Sequence, residues 1–314
     1  IVYSDSTQGW LPVSDDAVAD VPTPPTIQKS IFGYGTTGGS VNLSMTNLVS
    51  SSGVVASDVT GVGTARRSLS AAPYGVGLAI FAYGTTGSKV SMSNLVNSSG
   101  VVASDVTGVG TAREQLAAAG YGTDKAIFGY GDSSGSDGVS MTNLVNNSGV
   151  VASDVSGVGT DRRQLSATAY GSDKAIFGFG IVSSYTAVTN LVNNSGVVAT
   201  DTTGVGTARY GAGASTYGTD TAIFCFGWNG SQLNTRNLVN SSGVVASDAS
   251  GAGTARNNGE ATPYGGDKAI FGFGTDGSNS GLTNLISNTG VVASDVSAVG
   301  SVRTNLAAAG FSLG

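Results

Sequence analysis

Hydrophobic residues alternate with small or polar ones in short bursts along the chain. In Ile127–Gly131 (IFGYG), the isoleucine and both glycines fall on one face of an extended segment and Phe128 and Tyr130 on the other. This period of two predicts a β-strand. Three further bursts accompany it, at 115–122 (QLAAAGYG), 139–145 (VSMTNLV) and 149–155 (GVVASDV). Between them lie clusters of Gly, Asn, Asp and Ser, residues that supply positive φ or local side-chain caps to turns. The alanines of 115–122 favour helix, but eight residues closed by glycine are too few for a stable one. Each unit therefore reads as four short strands.

The pattern recurs. GVVASD or a near copy starts at Gly53, Gly100, Gly149, Gly196, Gly243 and Gly290, spaced by 47 or 49 residues, and a period in the forties marks repeat architectures. The IFGYG block recurs from Ile31, Ile80, Ile127, Ile176, Ile223 and Ile270. All variation in length falls between that block and the following Asn-Leu pair, so this segment is expected to be a surface loop on a constant frame.

The two ends are complementary. After the sixth unit the sequence continues into TNLAAAGFSLG, a first-strand pattern, whereas the first unit starts at its second strand, KSIFGYG. A strand at about 305–314 inserted beside 31–35 would protect edges that an open array exposes. The expected fold is all-β: a six-bladed β-propeller of four-stranded blades over residues 27–314, closed by the C-terminal strand. Residues 1–26 share no phase with it and form an N-terminal extension ending in a Pro-rich linker.

Composition then narrows the chemistry. The 314 residues include 49 Gly, one Cys and no His, with 11% charged residues. Without histidine the common general base and metal ligand are missing, which argues against an enzyme, a cofactor or a metal site. The net charge of −6 lacks the basic excess that nucleic acid requires. Cys225 has no intramolecular disulfide partner, no apolar run reaches membrane-spanning length, and the start at Ile1 carries no signal-peptide pattern. A processed start or a longer parent product would account for the missing methionine.

Arg66, Arg113, Arg162, Arg209, Arg256 and Arg303 share one phase, and so do Asp58, Asp105, Asp154, Asp201, Asp248 and Asp295. Six guanidinium groups could ring an axis and bind anions. A feature copied six times is expected instead to be a strut, each Arg pairing with a carbonyl or with the Asp of its blade junction. The unlike loops are the candidates for recognition. Among them Tyr185 and Trp228 are the large aromatics; with Asn229 and Asp132 they suit stacking on a sugar and bonding to its hydroxyls, and a solvated turn under relaxed drift is the alternative. Asp132 and Asp137 lack the ligand density of a calcium loop and read as an ordinary turn. Cys225 reads as a small buried filler. In the extension, Trp10 is the candidate attachment residue, by burial or strand addition onto another subunit.

The opening Arg, the Tyr-Gly near the end of the first strand, the aromatic second strand ending in Gly and the Gly-Val-Val-x-x-Asp strand resemble kelch-type propeller repeats over about residues 27–314. The fourth strand lacks the kelch Trp, and the oxidase chemistry of some kelch-like enzymes needs His, so that activity is not carried over. YSDSTQGW resembles the starts of some tailed-phage virion proteins. Together these imply a non-enzymatic virion structural or appendage protein at a virion or extracellular surface. Its partners would be other assembly subunits through residues 1–26, and glycans at the loops. A secreted or cell-surface propeller lectin is the alternative.

Overall fold

The computed structural model describes residues 2–5, 9–11, 27–38, 41–135, 138–297 and 299–313. No α-helix occurs among them. Strands β1 (Val2–Asp5) and β2 (Gly9–Leu11) form a hairpin in which Tyr3 pairs with Trp10. The remainder of the proposed attachment segment, with the Trp10 side chain, lies outside the described residues, as does Asp137.

Six antiparallel sheets follow. Sheet one joins β3 (Ile27–Gly33) and β4 (Thr46–Val49) to a strand from the other end of the sequence; sheet two holds β5 (Ser70–Tyr74), β6 (Leu78–Ala82) and β7 (Ser93–Val96). Sheet three holds β8 (Ala117–Tyr121), β9 (Lys125–Gly129) and β10 (Thr142–Val145), and sheet four β11 (Ser166–Tyr170), β12 (Lys174–Gly178) and β13 (Thr189–Val192). Sheet five has β14 (Gly213–Tyr217), β15 (Thr221–Trp228), β16 (Gln232–Val239) and β17 (Ala249–Ser250). Sheet six has β18 (Glu260–Tyr264), β19 (Lys268–Gly272) and β20 (Thr283–Ile286). The strand that completes sheet one is β21 (Ala307–Leu313), with Ala309 opposite Ile31.

The first strands of the sheets touch one another in order, and β21 contacts both β5 and β18. Ser68, Gln115, Gln164, Gly211, Asn258 and Asn305, each just before a first strand, are linked by six backbone hydrogen bonds. Ser68 N–H donates to Asn305, Asn305 to Asn258, Asn258 to Gly211, Gly211 to Gln164, Gln164 to Gln115 and Gln115 to Ser68. The chain of bonds returns to its first residue. All six residues hold positive φ, an unfavourable conformation for the five that are not glycine. Such proximity explains the composition of the first strands. Alanine, serine, glycine and threonine fill SAAPY, AAAGY, SATAY and GASTY because neighbouring strands leave no space for larger groups. Tertiary proximity overrides the helical preference of alanine here.

Two strand expectations need correction. The fourth segments are not continuous strands except for the short β17; each joins its neighbour through two bridges, as Val55 to Val49 and Val59 to Thr46. Four steps along one chain face three along the other, so one residue bulges at 56–58. The cause is Asn47, whose side-chain amide donates to Ala56 O (2.9 Å) and occupies the backbone partner's place. The bulge turns Asp58 inward. The second strands also stop early: β9 ends at Gly129 because Tyr130 takes φ 62°. Phe128 and Tyr130 therefore do not share a face. Phe128 meets Tyr83 of the sheet before, and Tyr130 meets Phe177 of the sheet after.

These aromatic contacts run round all six sheets, with Phe32 against Phe273 joining the first to the last. Glycine ends the second strand where the next sheet's phenylalanine lies close: a Cβ at Gly129 would sit 2.7 Å from Phe177 Cζ. Cys225 fills that position in sheet five. Phe271 instead lies against Gly213 and Gly259 and stacks flat on Phe226, at 4.1 Å and 13°. Phe311 of β21 is buried against Gly100 and Leu48. Phe311→Ala is expected to lower unfolding free energy by about 4 kcal/mol in urea melts, the cost of a large core cavity.

Candidate functional site

Between neighbouring sheets the same cluster recurs. Each of the six arginines is fully buried. Arg66 donates from Nε to Tyr83 O (2.9 Å), from Nη1 to Thr64 O (3.2 Å) and from Nη2 to Asn94 Oδ1 (2.7 Å). Asn94 in turn donates to Asp105 Oδ1 (2.9 Å), and Asp105 accepts from the amide and hydroxyl of Thr64. The guanidinium lies 3.9 Å from Asp105 and 4.4 Å from the ring centroid of Tyr34 in the preceding sheet. The other five pairs are Arg113–Asp154, Arg162–Asp201, Arg209–Asp248, Arg256–Asp295 and Arg303–Asp58, spaced 3.4–3.9 Å. Each guanidinium also covers a Tyr or Phe ring.

Burial drives the arginines toward losing charge, Arg209 and Arg303 down to about 10. They stay cationic at neutral pH. The aspartates are pushed up by partial burial, but bonds from the Thr or Ser and the Asn, with the nearby guanidinium, outweigh this and hold them below the ordinary carboxylate value. Fully buried between the sheets and each paired with an Asp, these arginines present no open anion ring. The six asparagines (Asn47, Asn94, Asn143, Asn190, Asn237, Asn284) were legible as a fixed-phase residue, yet their role as bridges is visible only in three dimensions.

The variable loops lie at the same end of the sheets as the hydrogen-bonded cycle. Arg67 pairs with Thr85 in one loop, Glu114 with Asp132, Arg163 with Ile181, Tyr210 with Trp228 and Asn257 with Thr275. Loop residues reach across to the next sheet, and an Asn amide donates to a Thr carbonyl at two crossings, Asn42 to Thr85 O (3.4 Å) and Asn279 to Thr36 O (3.3 Å). Arg67 donates to Asn42 Oδ1 (3.0 Å) and Lys89 to Asp132 Oδ1 (2.6 Å). Tyr185 meets Tyr210, ring centroids 5.6 Å apart. The candidate residues thus separate. Tyr185 and Trp228 come together through Tyr210, which sequence reasoning did not select; Trp228 is half-buried and Tyr185 exposed. Asn229 follows Trp228 in the same turn, its amide bonded to Ser231 O. Asp132 does not join them: it is buried, ion-paired to Lys89 and bonded by the Gly135 amide, so it is engaged in a crossing contact.

A central cavity of about 60 Å³ opens beside these loops, lined by residues of all six sheets. Ser68, Gln115, Gln164, Asn258 and Asn305 give it polar groups, and leucines 69, 116, 165 and 306 are its apolar lining. At sheets five and six Gly211, Ala212 and Gly259 stand in for the larger residues of other sheets. Glu260 is the one carboxylate in the six first strands. It is half-buried and lines the cavity. Burial pushes it up to about 8, against bonds from the Ala261 and Ala214 amides. It is therefore mostly protonated at pH 7 and can donate a hydrogen bond. No cluster of three or more His, Cys, Asp or Glu suited to a metal occurs among the described residues.

Two outcomes test this geometry. Asn143→Ala should cost about 2–4 kcal/mol in chemical denaturation, because Arg113 Nη2 and Ala152 O lose their partner. Asn47→Ala should cost less, since Arg303 Nη2 makes no bond to Asn47. Because its folded pKa is raised, Glu260 contributes fully below the unfolded value near 4.5 and loses that contribution as pH rises through about 8. The melting temperature should fall across that window, and Glu260→Gln should flatten the decline.

No protein-family model matches this chain, and no curated protein matches it.

Proposed function

We propose that the six sheets are the blades of a six-bladed β-propeller closed by Ala307–Leu313, and that this kelch-like body serves as a non-enzymatic adhesion or assembly module of a virion. The observation that carries the reading is a contrast within one molecule. The Arg–Asp pair is repeated at all six crossings, bridged by Asn at five, while the loops at one end differ in sequence at each. Constant interiors with unlike loops are how a repeat scaffold presents a recognition surface. The bond cycle through Ser68 and Asn305, with the Arg303–Asp58 pair, supports closure.

The absence of histidine supports a binding role over catalysis. Residues 1–26 would carry attachment to neighbouring subunits. The aromatic group at Tyr185, Tyr210 and Trp228 favours a second reading, a secreted or cell-surface lectin. Quantitative mass spectrometry of particles purified from the native source separates them. A fixed copy number per particle is expected; recovery only as free secreted protein would overturn the virion reading in favour of the lectin. Deleting 305–313 should abolish cooperative unfolding, whereas an unchanged melting temperature would reject closure.

A further inference from the structure

Features that occur six times in this chain are consumed by packing. Several departures from the repeat gather in one sector, where sheets four, five and six meet: Tyr185, Tyr210, Trp228, Gly211, Ala212, Gly259 and Glu260. From this juxtaposition we infer that the sector is a binding site for a neutral pyranose, whose ring lies on the aromatic residues while one substituent enters the central cavity. The inference rests on the adhesion reading and assigns its ligand class and location.

Three observations carry it. Tyr210 and Trp228 exchange both backbone hydrogen bonds (3.1 and 2.9 Å), so their side chains leave the same side of the strand pair, and Tyr185 abuts Tyr210. Aromatic surfaces that retain solvent access suit the C–H face of a sugar, with polar tips for its hydroxyls. Gly211, which lines the cavity, follows Tyr210 directly in the chain, so the aromatic group is one residue away from the lining.

The cavity supplies the polar half. Gln115, Gln164, Asn258 and Asn305 offer amides that both donate and accept, as a hydroxyl requires, and the buried Oε1 of Gln115 has no partner. About 60 Å³ is far below the roughly 150 Å³ that holds benzene, so it takes a hydroxymethyl-sized group and excludes a whole ring. The lining holds no Lys or Arg to balance a carboxylate, which favours a neutral sugar over an acid. Glu260 lines the cavity and, as its carboxyl, donates to a ligand hydroxyl near neutrality; an anionic sugar brings a second acid to the same enclosure.

The test uses the whole protein in a Trp10→Phe background, leaving Trp228 the sole tryptophan. Maltose, lactose, N,N′-diacetylchitobiose and N-acetylneuraminic acid are titrated to millimolar concentration, with Trp228 emission and saturation-transfer NMR as readouts. At least one neutral disaccharide should shift the emission and outbind the anionic sugar. Trp228→Thr and Tyr185→Asn should each weaken binding tenfold or more by NMR. Both substitutions install residues that the chain already carries at these positions, in Thr85 and Thr275 and in Asn42 and Asn279, so folding is preserved. Asn279→Ala, at another crossing, should bind as the parent does. Failure of all three disaccharides, preference for the anionic sugar, or undiminished binding by Trp228→Thr overturns the site. Fixed stoichiometry in particles together with any of these results removes the sugar site alone; sugar binding without particle association removes the virion reading alone.

Discussion

A guanidinium buried between β-sheets needs its charge compensated, and the rest of this molecule is arranged around meeting that demand six times, with an Asp within 3.9 Å of each. Leaving a buried charge without its partner costs about 3–5 kcal/mol. The Asn that accepts from the Arg also plugs the bulge that swings the Asp inward, and the ring of the preceding sheet covers the guanidinium face. Each cluster therefore fixes one sheet internally and ties it to its neighbour. Because Arg303 pairs with Asp58, the constraint runs from the end of the repeats back to their start.

The second constraint is crowding. Six first strands meet at a cycle of backbone hydrogen bonds, and only small side chains fit there. Glu260 is tolerated because the Ala261 and Ala214 amides donate to its carboxyl, and Cys225 is tolerated because Phe271 can lie over Gly213 and Gly259. Small residues in two neighbouring sheets thus absorb the latter departure. The result is one sector that differs from the other five in shape, polarity and aromatic content, adjoining the loops that vary most. A scaffold under strong repetitive constraint has few places where such departures are permitted, and here several coincide.

Sequence periodicity by itself determined the strand class, the number of units, the constant frame and the loop that varies, because period-two alternation and fixed spacing are local properties of a chain. It also placed the arginines and aspartates in phase, and the complementary ends implied a strand at about 305–314 beside 31–35, whose register, Ala309 opposite Ile31, the structure supplied. Tertiary structure alone decided the bulge at residues 56–58, the reversal of Tyr130 relative to Phe128 and the withdrawal of Asp132 into a pair with Lys89. It likewise brought Tyr210 between Tyr185 and Trp228 and set Glu260 in a common cavity. Those outcomes depend on which side chain reaches across to a neighbouring sheet, and a linear pattern carries no information about a contact made between segments whose spacing in the chain is unrelated to their distance in space.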